Sequence, residues 1–463
     1  MHPLRQMRRE VPLEGYYDDR RSGVKERGNS MNHFEKKQWI RLACCALVVL
    51  AATLWLCGVF GGGNVRYHLR NRGSLGPLTR ENIAYLDTAA PAATGKDGTV
   101  SASDWAETYP RIVATMGDNS KNSYVTSYLE QDPYLVNIYE GYGFAKDYGS
   151  ARGHAYTLED VAKTERPHAK ANCLTCKTPN FAKLVNDEGV GVYSRPFEEV
   201  MPLMEENISC YSCHGNDAGN GGAIVITHSY VQKALGDQTA SVSPSVLSCG
   251  QCHIEYYFTP ENSETMMPYH SVAEMTPEAI LAYYDAIGFS DWTQPGTGTP
   301  MLKAQHPEME TFLQGKHAAL LNCADCHMAL TMDEDGTVYH SHYLDSPLND
   351  PALLATCVRC HGDTDMKAMV QNLQGRITAK ETAVGNKLSA LKDRLTEAVS
   401  AEKLSDEELN TVRKLHREAQ WFFDFCYVEN SEGAHNSELA MRCLETSENR
   451  IQEAMNLLEG KAF

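Results

Sequence analysis

Five C-x-x-C pairs constrain this chain more than any other feature of its sequence. Four are followed at once by histidine: Cys210-Tyr-Ser-Cys213-His214, Cys249-Gly-Gln-Cys252-His253, Cys323-Ala-Asp-Cys326-His327 and Cys357-Val-Arg-Cys360-His361. C-x-x-C-H is the attachment pattern of c-type haem. Two thiols at that spacing reach the two vinyl groups on one porphyrin edge, and the next side chain points to the iron as proximal ligand. Structural zinc uses paired C-x-x-C units but does not require histidine beside the second cysteine four times over. Thioredoxin-like motifs come singly, near a βαβ pattern that this sequence lacks.

The fifth pair ends in lysine: Cys173-Leu-Thr-Cys176-Lys177. Beside four haem motifs it reads as a fifth attachment site with Lys177 as proximal ligand. An amine binds metal only after losing its proton, so Lys177 must coordinate as the neutral form. Axial-ligand identity is one of the main controls a protein has over haem chemistry, so one haem is set apart. Haems that only carry electrons are usually ligated on both faces, which asks for four distal ligands. Seventeen histidines less the four proximal ones leave thirteen. His154, His317, His340, His342 and His435 lie where such ligands could come from, and composition does not choose among them. The lysine-ligated haem keeps an open face for a substrate.

Length gives a prior of about three domains at roughly 150 residues each, weakened where cofactors supply core. The formal charge of −18 is uneven: residues 1–41 carry +4 and the remainder −22. So acidic a body argues against nucleic-acid binding, which needs clustered Lys and Arg. Leu42 to Asn64 runs for 23 residues without a charge, beyond the roughly 18 needed to span a bilayer. A retained anchor fits its length and a cleaved export signal its position; no good A-x-A site follows, which favours the anchor. The basic tail 1–41 includes a polar stretch, 1–30, that is either a short cytoplasmic tail or a misassigned start, Met31 being the more ordinary beginning. Residues 65–103 read as a flexible linker, 104–362 as the pentahaem region, and 363–463 as C-terminal helices. Haem c is attached outside the cytoplasm, so the body after residue 64 is expected to face outward, in a periplasm or on the outer membrane face.

Between the cysteine pairs the chain is loop-rich, with short helices. Thr276-Pro277-Glu278 signals a helix start, and Thr157 with Asp160 resembles a capping box. Ala223 to Thr227 is the best candidate strand. Val370, Leu373, Ile377, Val384, Leu388, Leu391, Leu395 and Val399 then recur at helical spacing. Ser405 and Glu408 open another helix containing Leu409, Val412, Leu415 and Phe422. A long helical hairpin is expected, its stripes serving as core or as a dimer face. Cys426 and Cys443 belong to no haem motif and are either thiols or a disulfide.

From about Trp105 to residue 455 the sequence resembles the pentahaem cytochrome c nitrite reductases that form ammonia. The marks are one C-x-x-C-K ahead of four C-x-x-C-H, the stretch CGQCHIEYYF, and KAQHPE. The resemblance implies a mainly α fold with a haem-filled core, little β structure and C-terminal helices that dimerise. It implies five haem c and one Ca2+, with catalysis at the haem of Cys173, Cys176 and Lys177. The catalytic arginine follows D-V-x-x-T-x-R, here Asp160 to Arg166; the catalytic tyrosine and histidine match Tyr256 and His306. Calcium ligands match Glu255, Tyr256, Lys303 and Gln305, an oxygen set that suits a hard cation. Distal histidines map as His342 for the second haem, His154 for the third, His435 for the fourth and His317 for the fifth, with His340 the rival of His342. Nitrite is the implied substrate and a quinol-oxidising membrane cytochrome the implied donor. Hydroxylamine or sulfite reduction, and a pure electron carrier without substrate, are the alternatives. The loop between Arg166 and Cys173 is shorter than in better-known members, and the membrane segment is atypical.

Overall fold

The computed structural model describes residues 88–166, 169–328 and 330–459. The charge-free run 42–64 lies outside them, as do residues 1–41, and no described helix is long and apolar enough to cross a membrane. The fold is mainly helical. Strand among the described residues is confined to three short antiparallel pairs, of which two, Tyr257–Phe258 with Thr265–Met266 and Leu330–Met332 with Val338–His340, begin shortly after a cysteine motif.

Four helices carry cysteine motifs: α1 (Cys210–His214), α2 (Pro244–Gly250), α3 (Cys323–His327) and α4 (Pro351–His361). Three long helices follow: α5 (Met366–Ser400), α6 (Asp406–Tyr427) and α7 (Ser437–Glu459). The expected hairpin of α5 and α6 is present, and α7 extends it to three helices. Ile377, Val384, Leu388, Leu391 and Leu395 of α5 are buried against Val412, Trp421, Phe422 and Phe425 of α6 and Leu444, Ile451 and Leu458 of α7. Ser405 caps α6 with a full capping box to Glu408. Gly385 sits mid-helix, where glycine costs about 1 kcal/mol relative to alanine. Its place is explained by Tyr134, whose ring lies where a Cβ would be.

Helix α6 also joins this stack to the motif region. Trp421 Nε1 donates to the Pro277 carbonyl at 2.8 Å, and Arg417 bonds Asp285 and the carbonyls of Pro300 and Phe289 at 2.8–2.9 Å. Thr276 caps its helix as expected, accepting from Ala279 N at 3.1 Å.

Three expectations need correction. Ala223–Thr227 is extended but forms no strand, because its amides serve the cysteine motifs: Val225 N bonds Cys213 O at 2.9 Å and Thr227 N bonds Gln251 Oε1 at 3.1 Å. Thr157 is no capping residue; its hydroxyl faces the Lys177 carbonyl at 2.6 Å, while Asp160 is engaged by Arg152. The stretch 88–103, placed in the linker, packs on the body: Thr88 N bonds Gly219 O at 2.8 Å and Val100 is buried.

Candidate active site

In a helical turn, residues i and i+3 share a side and i+4 lies beside them. Each C-x-x-C-H therefore presents both thiols and the imidazole to one space. Helices α1 and α3 are such turns and nothing more, and α4 ends on one. Their starts are fixed locally: Asn322 caps α3 by accepting from Ala324 N at 3.0 Å, and Ser245 Oγ of α2 donates to Asn322 Oδ1 at 2.9 Å. Gln251, inside one motif, is buried and bonds Ser212 O of the preceding motif at 2.7 Å. At Gly250 a Cβ would collide with Met309, so the glycine lets the helix Glu308–Leu313 sit against the motif.

Metal–imidazole bonds run at about 2.0–2.1 Å, and the ring centre lies about 1 Å further on. Two imidazoles on opposite faces of one iron thus have centroids about 6 Å apart. Four pairs in this structure meet that distance. His214 faces His342 at 6.5 Å, His253 faces His154 at 6.2 Å, His327 faces His435 at 6.1 Å, and His361 faces His317 at 6.2 Å. The residues fit four doubly ligated haems. It is the ring of His342 that meets His214; His340 instead turns its Nδ1 to the Met328 carbonyl at 3.0 Å.

The thiols lie in an ordered series. The Cys176 and Cys252 thiols act on one another's protonation, as do those of Cys249 and Cys323. Helix α2 packs on α1 and on α3, and α3 packs on α4. The motifs of Cys173, Cys249, Cys323 and Cys357 thus follow one another in space, and that of Cys210 branches from the Cys249 motif.

Around the C-x-x-C-K motif other groups gather. Arg166 acts on the Cys173 thiol and on Tyr256, and its guanidinium lies over the Phe144 ring, 4.7 Å from the centroid. Lys177 acts on His306. Burial pushes the Tyr256 hydroxyl above its ordinary range and the His306 imidazole down to about 4. Two backbone runs hold these side chains. His306 N bonds Ile254 O at 3.2 Å and Met309 N bonds His253 O at 3.1 Å, so the KAQHPE segment is laced to the HIEYYF segment.

Glu255 lies within the same lacing. Its carboxylate accepts Gln305 N at 2.6 Å and the Tyr284 hydroxyl at 2.9 Å. The Gln305 side-chain amide and the Lys303 carbonyl converge at 2.8 Å. Burial drives the Glu255 carboxyl well above the usual carboxylate range, and Glu310 and Asp291 push it the same way. Asp291 is itself pushed up to about 7 and Glu310 to about 8, chiefly by burial. A surplus of buried carboxylates beside the Lys303 carbonyl, onto which Gln305 Nε2 donates, fits a hard divalent cation. Among the described residues no three His, Cys, Asp or Glu form a cluster able to hold a metal; here only Glu255 of the four matched residues is acidic.

Sequence reasoning missed the partners of these groups: Tyr284 on Glu255, Glu308 at 3.9 Å from His253 Nδ1, and Glu429 on His435. Gln251 stood inside a quoted motif without a role. Cys426 and Cys443 are buried free thiols.

Among solved structures, the chain is similar to the catalytic subunit of cytochrome c nitrite reductase from Desulfovibrio desulfuricans, a protein described with two calcium sites. Identity is 26%, the match covers 78% of this chain and 86% of that one, and the TM-score is 0.70. Matches to the outer cell wall cytochrome OcwA (19% identity, TM-score 0.37, covering 65% of this chain and 48% of that one) and to an undecahaem S-layer cytochrome of Carboxydothermus ferrireducens (15%, 0.36, covering 68% and 43%) are more distant. Residues 101–462 match the family described as cytochrome c552, and the chain belongs to that family.

Proposed function

We propose that this chain is an ammonia-forming nitrite reductase, working at a haem whose proximal ligand is Lys177. One observation carries the reading. Four C-x-x-C-H motifs each face a second imidazole at the spacing of one shared iron, whereas the C-x-x-C-K motif has Arg166, Tyr256 and His306 within electrostatic reach of its Cys173, Cys176 and Lys177.

Reducing nitrite to ammonium takes six electrons and eight protons and releases two waters. Haem c held by Cys173, Cys176 and Lys177 would supply the iron that binds nitrite and the electrons for its reduction. The residues do the remainder. Lys177 serves as a neutral amine, with its backbone carbonyl tethered by Thr157. Arg166 holds the anion by charge-assisted hydrogen bonds. His306 and Tyr256 hydrogen-bond the oxygens that leave as water and pass protons to them. Glu255, the Tyr256 and Lys303 carbonyls and Gln305 would hold calcium, which adds positive charge beside an anionic substrate. The series of motifs ending at Cys173 supports electron delivery through the paired-histidine haems.

The same reading places the body outside the cytoplasm, tethered by 42–64, paired as a homodimer through the C-terminal helices, and fed by a quinol-oxidising membrane cytochrome.

The test is turnover with reduced viologen and nitrite, counting ammonium released per electron consumed. One ammonium per six electrons is expected. His306→Ala should lower the rate by about 10²–10⁴-fold with five haems retained; near-normal ammonium formation by that variant would sink the assignment, and no turnover by the unmutated protein would leave an electron carrier.

A further inference from the structure

The paired histidines differ in what their second ring nitrogens meet. Around the Cys210 motif, His214 Nδ1 bonds the Ala223 carbonyl at 2.8 Å and His342 Nδ1 bonds the His340 carbonyl at 2.9 Å. Around the Cys323 motif, His327 Nδ1 bonds the Asp345 carbonyl at 3.0 Å. Its partner His435 instead meets a carboxylate, Glu429 Oε1, at 2.6 Å.

That carboxylate is built in. The Glu429 side chain is 3% exposed. Ser431 Oγ donates to Glu429 Oε2 at 2.5 Å and accepts from His435 N at 2.9 Å, closing a ring around the imidazole. The neighbouring Asn430 bonds Glu308, so this loop is also pinned from the other side.

We infer that Glu429 sets the reduction potential of the haem held by Cys323 and Cys326, keeping it below that of the haem held by Cys210 and Cys213. The inference rests on the haem ligation proposed above. A ligating histidine whose free N–H is drawn to a carboxylate becomes a more basic ligand, which favours ferric iron. A buried negative charge nearby also opposes the arrival of an electron. A carbonyl oxygen supplies neither effect to the same degree. Helix α3, with the Cys323 motif, packs against both α2 and α4, so the motif stands between those of Cys249 and Cys357; a low potential there keeps electrons moving along the series, while the branch at Cys210 can store one.

Glu429→Gln keeps a hydrogen-bond acceptor for Nδ1 and removes the charge. In the full haem-loaded protein, a reductive titration followed by EPR and visible absorption should show one low-spin component moving to higher potential. The expected shift is about tenfold in its reduction equilibrium, or ~59 mV for one electron. Glu429→Asp should restore most of the original value. Ser431→Ala removes a hydroxyl that shares the carboxylate, and should move the same component the opposite way, which keeps the test decisive if the glutamine variant fails to fold. Five haems per chain by pyridine haemochrome with unmoved potentials overturn the role of Glu429 alone. Fewer than five in the unmutated protein overturn the haem reading and this inference with it.

Discussion

Residues 366–459 and residues 104–362 obey different rules. The C-terminal stack is held by its own side chains: long helices, a capped start at Ser405, and a continuous apolar seam in which Val384, Leu388, Leu391 and Leu395 are fully buried. The motif region has short helices, and most of its haem-attachment cysteines are only half-buried. Apart from residues that join the large cluster with α5 to α7, its own cores are small, one around Phe181 and Val185 and one around Trp105. Its histidine rings stand about an iron's breadth apart instead of touching. The difference teaches that one region carries its core in its sequence, and the other shapes a space that haem completes.

The largest effect should come from withholding that completion. Produced where haem cannot be attached, the chain should lose protease resistance across 104–362 while a helical fragment covering 366–459 survives. Limited proteolysis with mass spectrometry, alongside circular dichroism, reads this directly. Simultaneous digestion of both regions would break the comparison and make them one cooperative unit.

The converse perturbation is smaller. Leu388→Ala deletes a fully buried side chain from α5 and should cost about 2–5 kcal/mol of stability. Thermal unfolding should report the loss, while haem content and the reduced spectrum stay unchanged. A spectrum altered at the Lys177 haem would mean that the links from the helical stack, among them Trp421, Arg417 and the buried Tyr139–Asp424 and Tyr427–Asp132 hydrogen bonds, position the site.

What the sequence disclosed follows the same division. The apolar spacing from Val370 to Val399 and the Ser405–Glu408 box announce α5 and α6 because helix periodicity is local. Helix α7 was missed although Leu439, Cys443, Leu444, Ile451 and Leu458 recur at helical spacing and Asn436 marks its start, accepting from Leu439 N at 3.1 Å. Cysteine motifs are equally local, and the resemblance supplied the histidines that now stand opposite them. Ala223–Thr227 misled because β-branched composition does not say where the amides will find acceptors, and here they found Cys213 and Gln251. Glu429 and Tyr284 were invisible for a related reason: neither periodicity nor a motif says that the turn between α6 and α7 brings Glu429 onto His435, or that the fold brings Tyr284 onto Glu255.

The smallest test bears on whether the stack is as self-sufficient as its seam implies. Ser405 Oγ accepts from Glu408 N at 3.3 Å, and Glu408 Oε2 accepts from Ser405 N at 2.9 Å, so two end amides of α6 are satisfied reciprocally. Ser405→Ala removes the first bond, at a cost of about 1 kcal/mol. Because α6 carries Trp421 and Arg417, which reach across to the motif region, fraying its first turn should not propagate that far: the cap lies more than three turns from either contact. The expected result is a melting temperature lower by about 2–4 °C, with faster amide exchange confined to the first turn of α6. Faster exchange at Trp421 would show instead that the two regions share their stability through this helix.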